Sequence, residues 1–407
     1  MGNDSHYSGI GGYRAGMARS RWLILAAGLT GQTTAASFIY GIALLIPDLQ
    51  EDRGLSLPAA GLLVSAPIVG LLLGLIAWGA AADHYGERAV MAIGLAGTGV
   101  LLLASLTLPG LVLFGLGLVA AGVCAASVNA ASGRVVLGWF APAERGLAMG
   151  IRQTSTPLGV TVAALSLPPI AQHWGVTAAL AFPAVLCLTS AVFVLVAVRD
   201  PARPPATRVE MGSPYREQVG GTLVRVHTAS ALLVAPQALA GTFAATYLVS
   251  RLDWTPIAAG QLVGVIYVVG AAARIGAGVW SDRVRSRLRP MRTIAVLATA
   301  TMLLWGLGDL VAPWLAVTAL VAALIVTVTD NGLGFTATAE LAGPHWAGRA
   351  LGVQNTGQNV VAMAVPPLFG LLIAVAGYPV ALIGAAVFPA LGAAVTPTRG
   401  EYRPDES

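Results

Sequence analysis

The sequence predicts an all-α integral membrane protein: twelve transmembrane helices arranged as two six-helix halves related by a pseudo-twofold axis. Three observations carry this prediction. Of the 407 residues, 56% are hydrophobic and only 10% are charged, with a mean hydropathy of +0.77, which leaves too little polar surface to cover a soluble domain. The apolar residues gather into twelve stretches, and about twenty residues at ~1.5 Å each are enough to cross a ~30 Å hydrocarbon core. Finally, Gly61 to His84 aligns without a gap with Gly260 to Arg283 at an offset of 199. Gly61/Gly260, Leu63/Leu262, Val64/Val263, Val69/Val268, Ile76/Ile275, Gly79/Gly278 and Asp83/Asp282 are identical, so the chain reads as two copies of one membrane unit.

In chain order the apolar segments run over 22–47, 59–82, 89–108, 111–138, 147–170, 177–198, 226–249, 256–280, 293–312, 315–341, 348–375 and 379–396. Met1 to Arg21 is polar and basic and leads into a segment too long for the apolar core of a signal peptide, so none is expected. A second repeat joins segments four and five to ten and eleven. Val128 to Thr154 aligns with Asp330 to Thr356 at an offset of 202, matching Asn129/Asn331, Pro142/Pro344, Gly146/Gly348, Ala148/Ala350, Gly150/Gly352 and Thr154/Thr356. Pro168-Pro169 and Pro366-Pro367 are expected to break or bend segments five and eleven. The longest polar stretch, Arg199 to Val224, is rich in proline and arginine and reads as a linker. It divides the chain into an N-terminal half over 1–198, a linker over 199–224, and a C-terminal half over 225–407 that ends in a short tail. Alternating the loops puts nineteen arginines on the side of both termini and only Arg53 and Arg251 opposite, with Arg152 and Arg274 inside the membrane. The positive-inside rule then makes both termini cytoplasmic in a multi-pass protein of the cell membrane.

Several function classes are disfavoured. The chain has no lysine, and its net charge of +5 sits at alternate helix ends rather than beside aromatic platforms, which is a topology signal and not a nucleic-acid one. Cys124 and Cys187 lie in apolar segments, and the five histidines (His6, His84, His173, His227 and His345) show no ligand spacing, so neither a metal nor enzymatic chemistry is expected. The partners expected are a small molecule and the bilayer, with the chain acting as a monomer.

After segment two the chain reads Gly79-Ala-Ala-Ala-Asp83-His84-Tyr85-Gly86-Glu87-Arg88, and after segment eight Gly278-Val-Trp-Ser-Asp282-Arg283. With twelve spans and a central loop, this pattern resembles the major facilitator superfamily over essentially the whole chain. The resemblance implies that superfamily's fold and secondary active transport by alternating access, with an ion gradient and no cofactor as the driving force. Gly79 and Gly278 would let helices approach closely, and Asp83 at a helix end can meet the positive N-terminus of another helix. The resemblance makes Gly79, Asp83, Arg88, Gly278, Asp282 and Arg283 a latch that stabilises the outward-open state. His84 and Glu87 stand where basic residues are usual, and Arg285 where glycine is. Drug/proton antiporters of the superfamily carry an arginine near the start of segment four and a Gly-Pro step in segment five. Here the chain has Leu113-Phe114-Gly115-Leu116-Gly117 and Ala163-Ala164, which disfavours a typical multidrug exporter.

The candidate chemistry centres on Arg274. It lies eight positions before Asp282, roughly 12 Å along the helix, and a charge at such depth costs ~2.5–3.5 kcal/mol on insertion scales. Leu75 takes its place in the first copy. Arg274 shares a helical face with Tyr267, Gly270 and Gly278, an arrangement suited to gripping a carboxylate. The alternative is that Arg274 only braces the bundle. Asp330, expected near the middle of segment ten, falls on a polar stripe with Thr327, Asn331, Gly334 and Thr338. Low dielectric favours the neutral form of a carboxylate, so Asp330 can carry a proton, or it can form a static ion pair with Arg274. Both readings combine if protonation of Asp330 frees Arg274 for an anion, which is proton symport.

Asn129, Asn331, Gln237 and Gln358 are candidate substrate contacts, although the repeat-related asparagines also suit interhelical packing; Gln32, Thr33, Thr34 and Asn359 are further candidate liners. Arg152-Gln153, near the membrane boundary, reads as a gate or a snorkelling brace, and Glu144, Arg134, Glu340 and Arg349 as a salt-bridge network at the rim. The expectation is a proton-coupled carrier of a small organic anion. The alternative is a proton antiporter exporting a drug or metabolite.

Overall fold

The computed structural model describes residues 7–140, 148, 151–200, 221–343 and 346–398; the side chains of 7–20, 53, 83, 133–138 and 347 lie outside the described residues. The first half comprises α1 (Tyr7–Gly41), a tighter turn at Ile42–Leu45, α2 (Ile46–Arg53), α3 (Leu57–Tyr85), α4 (Glu87–Ser105), α5 (Gly110–Trp139) and α6 (Ser155–Ala197). The second comprises α7 (Thr222–Leu252), α8 (Pro256–Arg283), α9 (Leu288–Val311), α10 (Pro313–Thr327), α11 (Asn331–Ala342), α12 (Ala347–Ala385) and α13 (Val387–Val395). Most of the expected linker, 201–220, lies outside the described residues.

Ten helical stretches are long and apolar enough to cross a membrane, and two of them, Ile151–Ala197 with 47 residues and Gly348–Val395 with 48, are double. At ~1.5 Å per residue each would extend about 70 Å, more than twice a ~30 Å core. Each turns back at a glycine held in a conformation that only glycine adopts readily: Gly175 (φ 83°, ψ 166°) and Gly377 (φ 81°, ψ 169°). Counting each of these two as a pair, the described residues are consistent with twelve crossings. Gly175 and Gly377 obey the same offset of 202 as the second sequence repeat.

The expected breaks at the proline pairs are not found. Pro168-Pro169 and Pro366-Pro367 continue their helices, and the breaks fall at the two glycines instead. The prolines line the seam between the halves. Pro168 has no N–H to offer the Ala164 carbonyl, and that carbonyl lies against Gly260, where an added Cβ would come within 2.5 Å of it. On the other pair of helices, a Cβ on Gly61 would meet the Pro366 carbonyl at 2.5 Å, and one on Gly370 the Leu57 carbonyl at 3.0 Å. Thr161 Oγ donates across the seam to the Gly264 carbonyl at 3.2 Å. These contacts, of α6 with α8 and of α3 with α12, all lie toward the distal end of the bundle, away from the terminal end where the chain enters α1 and leaves α13.

At the terminal end the glycines of these helices have open space beside them among the described residues. A Cβ on Gly79, Gly276, Gly278, Gly348 or Gly352 would meet nothing within 4 Å. Gly79 and Gly278, where close approach is expected, thus leave room for a Cβ among the described residues, which exclude the Asp83 side chain and residues 141–147, 149–150 and 344–345.

The two ends differ in a way that substitution can read. Gly260→Leu forces a side chain into backbone at the distal seam and is expected to destabilise the protein by ~1–3 kcal/mol, lowering the thermal midpoint in detergent. Gly278→Leu is expected to leave that midpoint unchanged. Equal losses from the two would contradict the one-ended closure.

Candidate functional site

Arg274 sits where the halves meet. Its Nε donates to the Val328 carbonyl at 2.6 Å and its Nη1 to the Gln153 main-chain carbonyl at 3.3 Å, so one guanidinium holds the second half and the first together. The Val328 carbonyl is on offer because the tenth span breaks there: α10 ends at Thr327, α11 starts at Asn331, and residues 328–330 form a turn. Gly270, one turn from Arg274, permits the approach, since a Cβ there would lie 2.8 Å from the Val328 side chain. Tyr267 is buried on the same helix with its hydroxyl against Gly241, and Tyr40 of α1 joins it within the electrostatic reach of Arg274.

Asp330 belongs to the break rather than to a continuous helix as expected. Its main-chain carbonyl starts α11, accepting from Leu333 and Gly334 N–H at 2.9 and 3.1 Å. The residue is 1% exposed and its Oδ2 has no hydrogen-bond partner. Asp330 feels the charge of Arg274 but makes no ion pair with it in this conformation. Of the expected stripe, Thr327 bonds back to the Ala323 carbonyl, Thr338 donates to Gln354, and Asn331 Nδ2 donates to Gln237 Oε1 at 3.1 Å. Gln358 Nε2 in turn donates to Asn331 Oδ1 at 3.4 Å.

The first half repeats part of this pattern. Gln32 Nε2 of α1 donates to Asn129 Oδ1 of α5 at 3.0 Å, just as the Asn331–Gln237 bond ties α11 to α7. Arg152 then departs from the symmetry, since its repeat mate is Gln354. It does not snorkel as expected. Its Nε donates to Ser132 Oγ at 2.9 Å, its Nη2 to the Asn129 carbonyl at 3.3 Å and its Nη1 to Gln153 Oε1 at 3.3 Å, with Ser132 Oγ passing a bond to Gln32 Oε1 at 3.3 Å. Arg152 is drawn inward because α5 places two acceptors, Ser132 Oγ and the Asn129 carbonyl, beside it.

At the terminal rim, Arg88 is held within its own half. Its N–H donates to Asp200 Oδ1 at 2.8 Å and its Nε to the Leu195 carbonyl at 2.9 Å, so Asp200 caps the start of α4. In the second half Asp282 and Glu340 both pair with Arg287, the latter at 3.2 Å, and Arg287 also donates to Ser281 Oγ at 2.9 Å. Arg287, absent from the expected rim network, is thus its centre, while Arg349 stacks over Trp346 at 4.8 Å and Arg283 is exposed. The side chains of Asp83, Arg134 and Glu144 lie outside the described residues. At the distal end, unforeseen from the sequence, Tyr247 OH and Arg251 Nε converge on Asp309 Oδ1 at 2.8 and 3.1 Å beside a cavity of about 180 Å³. Among the described residues no group of three His, Cys, Asp or Glu side chains could hold a metal ion.

Among the described residues, long apolar helices in two repeat-related halves, packed closely at the distal end around a polar seam, have the architecture of a membrane carrier. The chain belongs to the Major Facilitator Superfamily, whose sequence profile matches residues 28–366. It is 44% identical over 383 residues to an uncharacterized MFS-type transporter of Mycobacterium tuberculosis, covering 93% of this chain and 85% of that one. Among solved structures it resembles a bacterial homologue of the human lysosomal transporter Spinster, captured inward-facing and occupied (TM-score 0.78, 14% identity, 94% of this chain and 99% of that one). It also resembles the human organic anion transporter TETRAN (TM-score 0.72, 15% identity, 93% and 99%) and a D-xylose–proton symporter (TM-score 0.76, 12% identity, 94% and 99%). At those identities the likeness shows the fold alone. As a member of this superfamily the protein is a multi-pass membrane transporter of small molecules and not an enzyme.

The Asp309 cluster gives a stability test. The Asp309 side chain is 2% exposed, and Asp309→Leu would leave the buried Tyr247 hydroxyl without its acceptor, an expected cost of about 1–3 kcal/mol in thermal or denaturant unfolding. Adding Tyr247→Phe should recover part of the loss, and additivity of the two changes would show that the hydroxyl bond contributes nothing.

Proposed function

We propose that the protein is a proton-coupled carrier of a small organic anion, working by alternating access across the cytoplasmic membrane with both termini in the cytoplasm. The parted terminal end is then the cytoplasmic mouth, and the conformation described is inward-open. One observation carries this reading: among the described residues a guanidinium at the seam is held by neutral main-chain carbonyls, one from each half, while the buried Asp330 nearby makes no ion pair and leaves its Oδ2 without a hydrogen-bond partner.

The chemistry follows from what can replace what. A carboxylate or phosphate offers a guanidinium a full opposite charge and often a bidentate pair of hydrogen bonds, neither of which a neutral carbonyl supplies, so an incoming anion displaces the carbonyls from Arg274. Protonated Asp330 is neutral and does not compete. Loss of that proton on the cytoplasmic side restores a carboxylate whose attraction for Arg274 opposes the anion and favours its release. Accumulation is then driven by the proton gradient, with no cofactor. Tyr267, Asn331, Gln237, Gln358 and Asn129 shape the rest of the site. In the alternate state the terminal ends close, and Gly79, Asp83, Arg88, Gly278, Asp282 and Arg283 form the latch. A single chain has everything this cycle requires, so the carrier acts as a monomer.

Two substitutions separate the roles in proteoliposomes assayed with a panel of small carboxylates and phosphate esters. Arg274→Gln is expected to abolish uptake while the protein stays monodisperse. Asp330→Asn should keep substrate exchange at equal pH but lose accumulation against an imposed pH gradient. Full accumulation by Arg274→Gln would dismiss the anion-ligand role, and pH-driven accumulation by Asp330→Asn would dismiss the proton carrier.

A further inference from the structure

The seam holds a second guanidinium that the cycle above does not use. Arg152 is half-buried and makes three hydrogen bonds, all to neutral acceptors; among the described residues no carboxylate pairs with it. Of its five N–H groups two remain unused, and Arg274, with two bonds made, has three to spare. A cation inside a membrane protein without an anionic partner is costly to keep and marks a site for a charge that comes and goes.

The two arginines meet on one residue. Arg152 Nη1 donates to the side-chain oxygen of Gln153 and Arg274 Nη1 to its main-chain oxygen, each at 3.3 Å. The two guanidinium groups are therefore separated by no more than one glutamine residue and two hydrogen bonds. Each half contributes one arginine where its repeat mate has none: Gln354 stands opposite Arg152, and Leu75 opposite Arg274. Symmetric bracing would place the same residue in both halves. This pair instead converges on Gln153, one arginine from each half.

We propose that Arg152 is a second anion ligand and that the transported substrate is a small dianion, with two negative charges on a short frame, such as a dicarboxylate or a phosphomonoester. This inference rests on the reading of Arg274 as an anion ligand. Charge balance supplies the reason. With Asp330 protonated in the loaded state, the seam carries two positive charges, so a monoanion leaves one uncompensated and a dianion neutralises both. A dianion also gives each half a grip on its own end of the substrate, with Gln153 as the common anchor that both guanidinium groups release.

The test is thermal-shift titration of the purified full-length protein with succinate, glycerol 3-phosphate, lactate and acetate near neutral pH, where the carboxylates are ionised and the phosphomonoester is mostly doubly charged while a carboxyl as buried as Asp330 still favours its neutral form. Wild type is expected to be stabilised at about tenfold lower concentration by at least one of the two dianions than by either monoanion. Succinate against glycerol 3-phosphate distinguishes the carboxylate frame from the phosphate one. Arg152→Gln should bring the dianion down to the monoanion level, Arg152→Lys should keep a preference for two charges, and Arg274→Gln should lose response to all four. If Arg152→Gln keeps the dianion preference while Arg274→Gln is silent, this inference is wrong and the Arg274 reading stands. If Arg274→Gln responds like wild type, that underlying reading fails. Should Arg152→Gln not fold, the wild-type ranking and Arg152→Lys decide: equal response to monoanions and dianions, or to none of the four, overturns the proposal.

Discussion

In the hydrocarbon interior no water stands ready to satisfy a polar group, so every guanidinium, amide and stray carbonyl at mid-depth must be answered by another part of the chain. The bond from Arg274 to the Val328 carbonyl is where that constraint acts most strongly. A helix broken at residues 328–330 exposes acceptors that a continuous helix would use internally, and an arginine on the neighbouring helix exposes donors. Either alone would be costly at this depth, and together each satisfies the other. The first half has neither, since α5 runs unbroken past Val128, the mate of Asp330, and α3 carries Leu75, the mate of Arg274. The arginine and the broken helix therefore belong together as one asymmetric device set into an otherwise repeated scaffold.

What the sequence made legible follows from the range of each interaction. Span number and the twofold repeat are written in apolar length and in identities at fixed offsets, both local properties, and the all-helical fold is consistent with them. The break in the tenth span is illegible because Val328-Thr329-Asp330 contains no glycine or proline. The proline pairs, expected to break or bend their helices, do not break them, and at Pro168 the carbonyl freed by the missing N–H packs against Gly260 on the opposite half. The symmetric amide pairs were half visible. Asn129 and Asn331 share the offset of 202, but Gln32 and Gln237 stand 205 apart, so alignment alone does not join them. Tyr40 lies seven residues from Thr33, two helical turns along one face, a signal that could have brought it into the site. Asp200 on α4, Asp309 under Arg251 and Arg287 between Asp282 and Glu340 depend on how helices are juxtaposed, which no local pattern reports.

The glycines of the repeated motif carry a different lesson. A sequence that must support two conformations encodes the contacts of both, whereas one structure displays only one set. Gly61 and Gly260 are occupied by the opposite half here, and Gly79 and Gly278, at the other ends of the same two helices, are not. Both helices thus keep small residues at either end, which the proposed alternating access would use by packing each end closely in turn. The polar seam lies between those ends, where relative displacement is smallest.

The distal ends of the helices are joined with great economy. Residues 54–56, 106–109, 253–255 and 312 are the only chain between successive spans there, and at Gly175 and Gly377 a single glycine turns the chain around. That surface is consequently a nearly bare rim of helix tips, offering little slack chain to a protease, an antibody or an inserted tag, so any handle grafted onto the molecule without straining it belongs on the opposite side.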